Sequence, residues 1–478
     1  MGNYHYIVQG LPHLPYTIMP GHPLKYDSLK AVLLYMEANQ RFQISLRVPS
    51  LRIVEKIVPL RIDNYQLVDY RAIINNTHYR LGVYRRYHSG NPPRLVQEVN
   101  DNGGASHDFD EFGFPVSSGM NVLLPGDVSF QGEHPDPDRE DTEEMEMSYR
   151  RALQIHKGAL EKLTELKSKG ITVEEYLNSL PPIPLNERFG VENSIRKALN
   201  LSCDLLRRLI DDDQVNLLPF ECRRNNTKPP FTYYVQLRIT KKMKEIQRFE
   251  YTKKLFEADK QLNQVLFGGR KTPVLVGNLQ MNTISTKFVL RMPQGFRFRA
   301  NFFSASDSTI VHRNFPRFVE DSENLDTVWI HSCYRQITPT ANSRAMKARK
   351  LVISAIRVDL DAMRLIVRNL PNQQICINSF RVIYSAQEIS ELVPLWLSGP
   401  RQIGSKFCMG LAEDATGREV LKLVRTRYNN AKRTKRCVTA PLNNLSKLEV
   451  FYVPFEKSNK EFRGVNMKWM LKFRIVHA

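Results

Sequence analysis

Three short runs decide the fold: Ile330-His331-Ser332-Cys333-Tyr334-Arg335, Ile353-Ser354-Ala355-Ile356-Arg357 and Ile377-Asn378-Ser379-Phe380-Arg381. Each reads as a strand that ends in a basic residue, and their leading isoleucines are 23 and 24 residues apart. A fourth copy, Lys406-Phe407-Cys408-Met409, follows after a longer step. Between them lie apolar residues at helical spacing: Met363, Ile366, Val367 and Leu370, then Ile389, Leu392, Val393 and Trp396, then Val420, Leu423 and Val424. Ser385 with Glu388, and Thr416 with Glu419, spell capping boxes for the last two helices. A strand and a helix every 20–29 residues or so is the period of a leucine-rich-repeat-like solenoid; an ordinary open α/β sheet is the other fold with this period. Parallel strands are expected at 328–332, 351–355, 374–379 and 405–409, closed by antiparallel strands over 447–455 and 467–476. In a solenoid Ile330, Ile353 and Ile377 face inward. His331, Ser354 and Asn378 then form an outward row, with Arg335, Arg357 and Arg381 at the strand ends, suited to an acidic or hydrogen-bonding partner segment.

Working outward, the rest of the chain has a different texture. Asp27 is placed to cap a short helix with Leu29, Val32, Leu33 and Met36 on one face. Phe42 and Leu46 begin a second helix, and Leu51, Val54 and Ile57 a third. Ala72-Ile73-Ile74, the turn pair Asn75-Asn76 and the run from His78 to Tyr87 predict a β-hairpin. The acidic stretch 133–147 reads as a linker. Thr172 and Glu175 start one helix of a helical middle section, in which Met243, Ile246 and Phe249 predict a basic helix from Thr240 to about Phe267. The organisation expected is a helical unit at 20–58, a hairpin and loop region at 59–132, a linker at 133–147, a helical section at 148–272 and a strand–helix domain at 273–478. The fold class is mixed, α+β passing into α/β.

Lys and Arg number 69 against 49 Asp and Glu, a net charge of +20. Such an excess favours acidic partners and admits a basic scaffold for nucleic acid or another polyanion, although no nucleic-acid-binding motif accompanies it. Nothing catalytic stands out. There is no GxSxG, no HExxH and no CxxC, and no two of the six cysteines are close enough for a zinc pattern. Asp108-Phe109-Asp110-Glu111-Phe112-Gly113 starts like a calcium loop but has Gly119 at the bidentate position. Gly268-Gly269-Arg270-Lys271-Thr272 reads as a helix cap and turn, because the earlier glycine of a phosphate cradle is missing. The expectation is a non-enzymatic protein without cofactor or metal, its cysteines reduced thiols. Met1 to Met19 has no secretory pattern, and no apolar run reaches the ~18 residues of a membrane span. An intracellular protein of cytoplasm or nucleus is expected.

The N-terminal residues carry a resemblance. Pro23-Leu24-Lys25-Tyr26-Asp27-Ser28-Leu29-Lys30-Ala31-Val32-Leu33-Leu34-Tyr35-Met36-Glu37, continued by Arg41-Phe42 and Leu46-Arg47-Val48-Pro49-Ser50-Leu51, resembles the opening of a large nematode family. That family is a domain of unknown function grouped with F-box and F-box-associated proteins. Tyr79-Arg80-Leu81-Gly82-Val83-Tyr84, Asp110-Glu111-Phe112-Gly113-Phe114 and Leu395-Trp396-Leu397 are similar to it as well. The resemblance implies that residues 23–58 dock on the Skp adaptor of a cullin–RING ubiquitin ligase, presenting Leu29, Leu33 and Phe42. It also implies that the C-terminal half holds a substrate protein. The segment 48–56 has no Trp where an F-box carries one.

Overall fold

The computed structural model describes residues 25–68, 70–116, 119, 121–131, 142–181, 190–281, 287–305, 314–320, 325–332, 348–355, 358–379, 384–399, 401–455 and 467–478. The chain divides into two compact units. The larger holds residues 11–78, 123–135 and 262–478, the smaller residues 1–10, 79–122 and 136–261.

The larger unit is built on one mixed sheet. Its parallel part runs in chain order: Arg61–Val68, Val274–Met281, Phe298–Ala305, Thr327–Ser332, Lys350–Ala355, Gln374–Ser379 and Lys406–Leu411. The register aligns Ile330 with Ile353, Ile353 with Ile377 and Ile377 with Met409. This is the expected succession of parallel neighbours. Antiparallel strands flank it: Arg71–Ile74 beside the first, and Trp469–His477, Ser446–Pro454 and Cys437–Pro441 beyond the last. Helices Leu360–Asn369, Ala386–Leu397 and Asp414–Arg427 follow three of the parallel strands, each packed on the next. Ser385 and Glu388 form the expected capping box. Thr416 and Glu419 do not, because the last helix starts earlier, with Glu413 as its N-cap residue.

One face of the sheet carries Ile375 and Ile377 and, in register with Ile375, Phe407. Trp396 lies 6.0 Å from Phe473, which stacks on Phe407 at 5.1 Å, so helix Ala386–Leu397 covers this face. The other face gathers Val352, Cys376 and Met470, with Trp329, Cys408, Val453 and Phe455 packed around them. Both faces are therefore apolar, as in parallel sheets generally. Cys376 and Cys408 lie on adjacent strands with Cα atoms 4.7 Å apart, and their sulfurs face each other on this side of the sheet.

In the smaller unit helices Glu143–Ser168, Val191–Ala198 and Cys203–Asn225 enclose Ala159, Leu163, Ala198, Leu199 and Leu206. Thr172 and Glu175 make their capping box. The strand Phe231–Thr240 pairs antiparallel with Lys244–Glu250, and a helix follows at Leu255–Phe267. The basic helix expected from Thr240 is thus a hairpin first. The residues at issue alternate between exposed and half-buried along Lys244–Glu250, a period of two that Met243, Ile246 and Phe249 concealed. The expected linker is also shorter, since Glu143 to Met147 already belong to a helix capped by Thr142. Gly82, on the strand Thr77–Tyr87, has no room for a Cβ: one would strike the backbone of Gly103 and Gly104. That close approach lets Val83 exchange two backbone hydrogen bonds with Ala105.

Candidate functional site

Three short helices, Tyr26–Tyr35, Ala38–Arg47 and Arg52–Ile57, open the described part of the larger unit. The first is not capped by Asp27. It starts at Tyr26, which puts Asp27 in its first turn, where a carboxylate favours the helix dipole. Glu37 caps the second by accepting from the backbone N–H groups of Asn39 and Gln40.

Too small to hold a core of their own, the helices are anchored by charge and by rings. Glu55 Oε1 accepts from Arg41 Nε at 3.1 Å and from Arg270 Nη2 at 2.6 Å. The three side chains are 1%, 1% and 2% exposed. Arg41 also donates to the carbonyls of Glu55, Val58 and Pro59. Lys56 Nζ donates to the carbonyls of Val265 and Leu266, both at 2.9 Å, closing the end of helix Leu255–Phe267. Burial, and then the charge of Arg270, pulls the Lys56 ammonium down to about 7. Burial likewise lowers both guanidiniums, against the pull of Glu55. Phe42 meets Phe267 edge to face at 5.9 Å.

This packing relocates the expected docking residues. Leu33 and Phe42 are buried in the larger unit and Leu29 is half-buried, so the first two are core, not a presented surface. The apolar side chains left open are others: Tyr35 at 86%, Ile53 at 74%, and Tyr26, Val32, Val48 and Ile57 at lesser exposure. Ile53 and Ile57 are one helical turn apart and share a face.

The second expected site fares differently. His331, Ser354 and Asn378 do form one row across neighbouring strands. The row is not outward, which corrects the expectation: Ser354 is 5% and Asn378 1% exposed. Ser354 Oγ accepts from Trp329 Nε1 at 2.9 Å, and Asn378 Nδ2 reaches the same oxygen at 3.4 Å. The His331 ring lies 4.6 Å from that of Trp329, and burial lowers its pKa. Arg335, Arg357 and Arg381 lie outside the described residues. Sequence reasoning missed Arg41, Glu55 and Arg270. The one signal for Arg270 was its place directly after the Gly268-Gly269 turn, where a chain direction is fixed.

Among the described residues, no group of three or more His, Cys, Asp or Glu side chains is placed to hold a metal ion, and no helix is long and apolar enough to cross a membrane. Residues 254–413 match a family described as a domain of unknown function, DUF3557. The match takes in the parallel strands from Val274–Met281 to Lys406–Leu411 and leaves the three N-terminal helices outside it. No curated protein and no solved structure matches the chain.

Proposed function

We propose that the chain is a non-enzymatic interaction protein, a substrate-recognition subunit resembling the F-box proteins of cullin–RING ubiquitin ligases. In this reading the N-terminal helices dock a Skp-type adaptor and the strand–helix array, leucine-rich-repeat-like in its period, holds a substrate protein. One observation carries it: Tyr35 and Ile53 are large apolar side chains left open on short helices whose other face is already used for packing. Anchors of this kind, in a hydrophobic groove, account for most of the affinity in helix-mediated docking. Deleting the helices is a poor test, because Arg41 and Glu55 would go with them. Point variants are better. Tyr35→Ser with Ile53→Ser is expected to lower retention of the chain on immobilised Skp adaptor at least tenfold while leaving its urea midpoint unchanged. Equal retention of the double variant and the native chain would sink the adaptor reading.

A second reading, a scaffold for nucleic acid or another polyanion, is favoured by where the charge lies. In the larger unit Lys and Arg number 42 against 22 Asp and Glu; in the smaller the numbers are 27 and 27. The whole excess of +20 thus belongs to one unit. Lys406 and the edge strand Lys432–Arg433 are exposed there. Binding of an unrelated single-stranded DNA should then weaken steeply between low and physiological salt, as released counterions require. Affinity that ignores salt counts against this reading.

A further inference from the structure

Arg85 lies in the smaller unit, on the strand Thr77–Tyr87. Its backbone is well satisfied: the N–H donates to Asn100 Oδ1 at 3.0 Å, and the carbonyl accepts from Asn100 Nδ2 at 2.9 Å. Its side chain is not. Among the described residues no acceptor meets a guanidinium nitrogen of Arg85, and Nε is buried. The charged or titratable groups acting on it are Tyr87 and Tyr233, with no carboxylate among them.

What surrounds the guanidinium is aromatic. Its central carbon is 5.2 Å from the ring centre of Phe109 and 5.8 Å from that of Phe231. Phe231 packs against Tyr87 at 5.0 Å and against Tyr233 at 5.3 Å. Phe109 stacks on Tyr233 at 5.1 Å with 15° between the planes. The Tyr233 hydroxyl is a second buried group with no hydrogen-bond partner. The carboxylates nearest along the chain are committed elsewhere. Asp110 Oδ1 accepts from the N–H groups of Phe112, Gly113 and Phe114, and Asp108 Oδ1 from Tyr251 Oη and the N–H of Leu255.

We propose that Arg85 and Tyr233 form a receptor for an oxyanion, a carboxylate or a phosphoryl group, framed by Phe109, Phe231 and Tyr87. Aromatic faces attract a cation, but more weakly than the water they displace. A guanidinium whose Nε is shut off from water with no acceptor, while the rest of the fork stays half-open to solvent, is therefore a poor choice for stability, and such choices collect at binding sites. The missing partner is defined by what is present. It must accept more than one hydrogen bond and carry negative charge, which a neutral amide does not. The planar fork of arginine matches two oxygens of one carboxylate or phosphate. This inference concerns the smaller unit and stands apart from the adaptor reading.

The test uses the full chain, with inorganic phosphate and acetate as probes and chloride at equal ionic strength as reference. For the native chain, phosphate, acetate or both should raise the thermal midpoint by about 2–4 °C over chloride. Which of the two does so tells a phosphoryl from a carboxylate site. Arg85→Met should keep or raise the midpoint in chloride, since it removes a half-buried charge that has no acceptor, and should lose the anion-dependent rise. Tyr233→Phe should bind the effective anion at least threefold more weakly by calorimetric titration. No rise in the native chain, or the same rise in Arg85→Met, overturns the proposal. So does a lowered midpoint of Arg85→Met in chloride, which would make Arg85 a structural residue.

Discussion

Glu55→Gln is expected to cost about 3–5 kcal/mol in the urea unfolding of the larger unit. The carboxylate stands between two guanidiniums that are almost wholly removed from water, and it touches both. Glutamine keeps the shape and one acceptor but leaves Arg41 and Arg270 as like charges facing each other in a dry site. Removing one partner of a buried ionic group costs far more than the group as a whole contributes, because the stranded charges keep their desolvation penalty. The stranded charges also define a control. Replacing Arg41, Glu55 and Arg270 together by methionine should cost much less than Glu55→Gln alone. A midpoint for Glu55→Gln within about 1 kcal/mol of native would mean that the ionic cluster does not hold the N-terminal helices. In that event the rings of Phe42 and Phe267 carry them.

Phe267→Ala is expected to be comparably severe, at about 3–5 kcal/mol. Phe267 is fully buried, and its ring contacts four others: Phe42 at 5.9 Å, Tyr65 at 5.7 Å, Phe296 at 5.3 Å and Phe298 at 6.5 Å. It therefore joins helix Ala38–Arg47 to the strands Arg61–Val68 and Phe298–Ala305. Alanine would leave a cavity that rigid strands on one side cannot fill by collapse, which puts the site at the costly end of the range. The exposed Tyr35 offers the comparison, since its replacement by serine should change the midpoint by no more than about 0.5 kcal/mol. Similar losses at the two positions, read by urea denaturation, would contradict this packing.

The parallel strands were legible because their period is written in one residue type. Ile330, Ile353 and Ile377 recur at nearly constant spacing, and the chain has no other short way to repeat them than side by side. The burial of the opposite face was also written, but in a weaker signal. Leu351-Val352-Ile353-Ser354-Ala355 does not alternate apolar with polar, and all five residues are buried. An unbroken run of this kind marks a strand covered on both faces. Treating Ser354 and Asn378 as outward followed their polarity alone, whereas a hydroxyl that accepts from Trp329 is at home inside. Of the ionic cluster only the turn before Arg270 left a trace in the sequence. Arg270 comes from a part of the chain remote from Arg41 and Glu55, and nothing local in the sequence distinguishes those two from solvated charges.

Asn75 closes the turn before the strand Thr77–Tyr87 with φ of 53°, and its side-chain oxygen and nitrogen both hold partners. Oδ1 accepts from the N–H groups of Asp63 and Asn64, and Nδ2 donates to Glu37 Oε1 at 2.6 Å. Asn75-Asn76-Thr77 is also an acceptor tripeptide for N-linked glycan. The nitrogen that a sugar would have to occupy is the one holding Glu37, and Glu37 caps helix Ala38–Arg47. A sugar there would take one of the two Nδ2 hydrogens beside the carboxylate that caps the helix bearing Arg41 and Phe42, so occupancy of this turn and the grip on that helix draw on the same amide group.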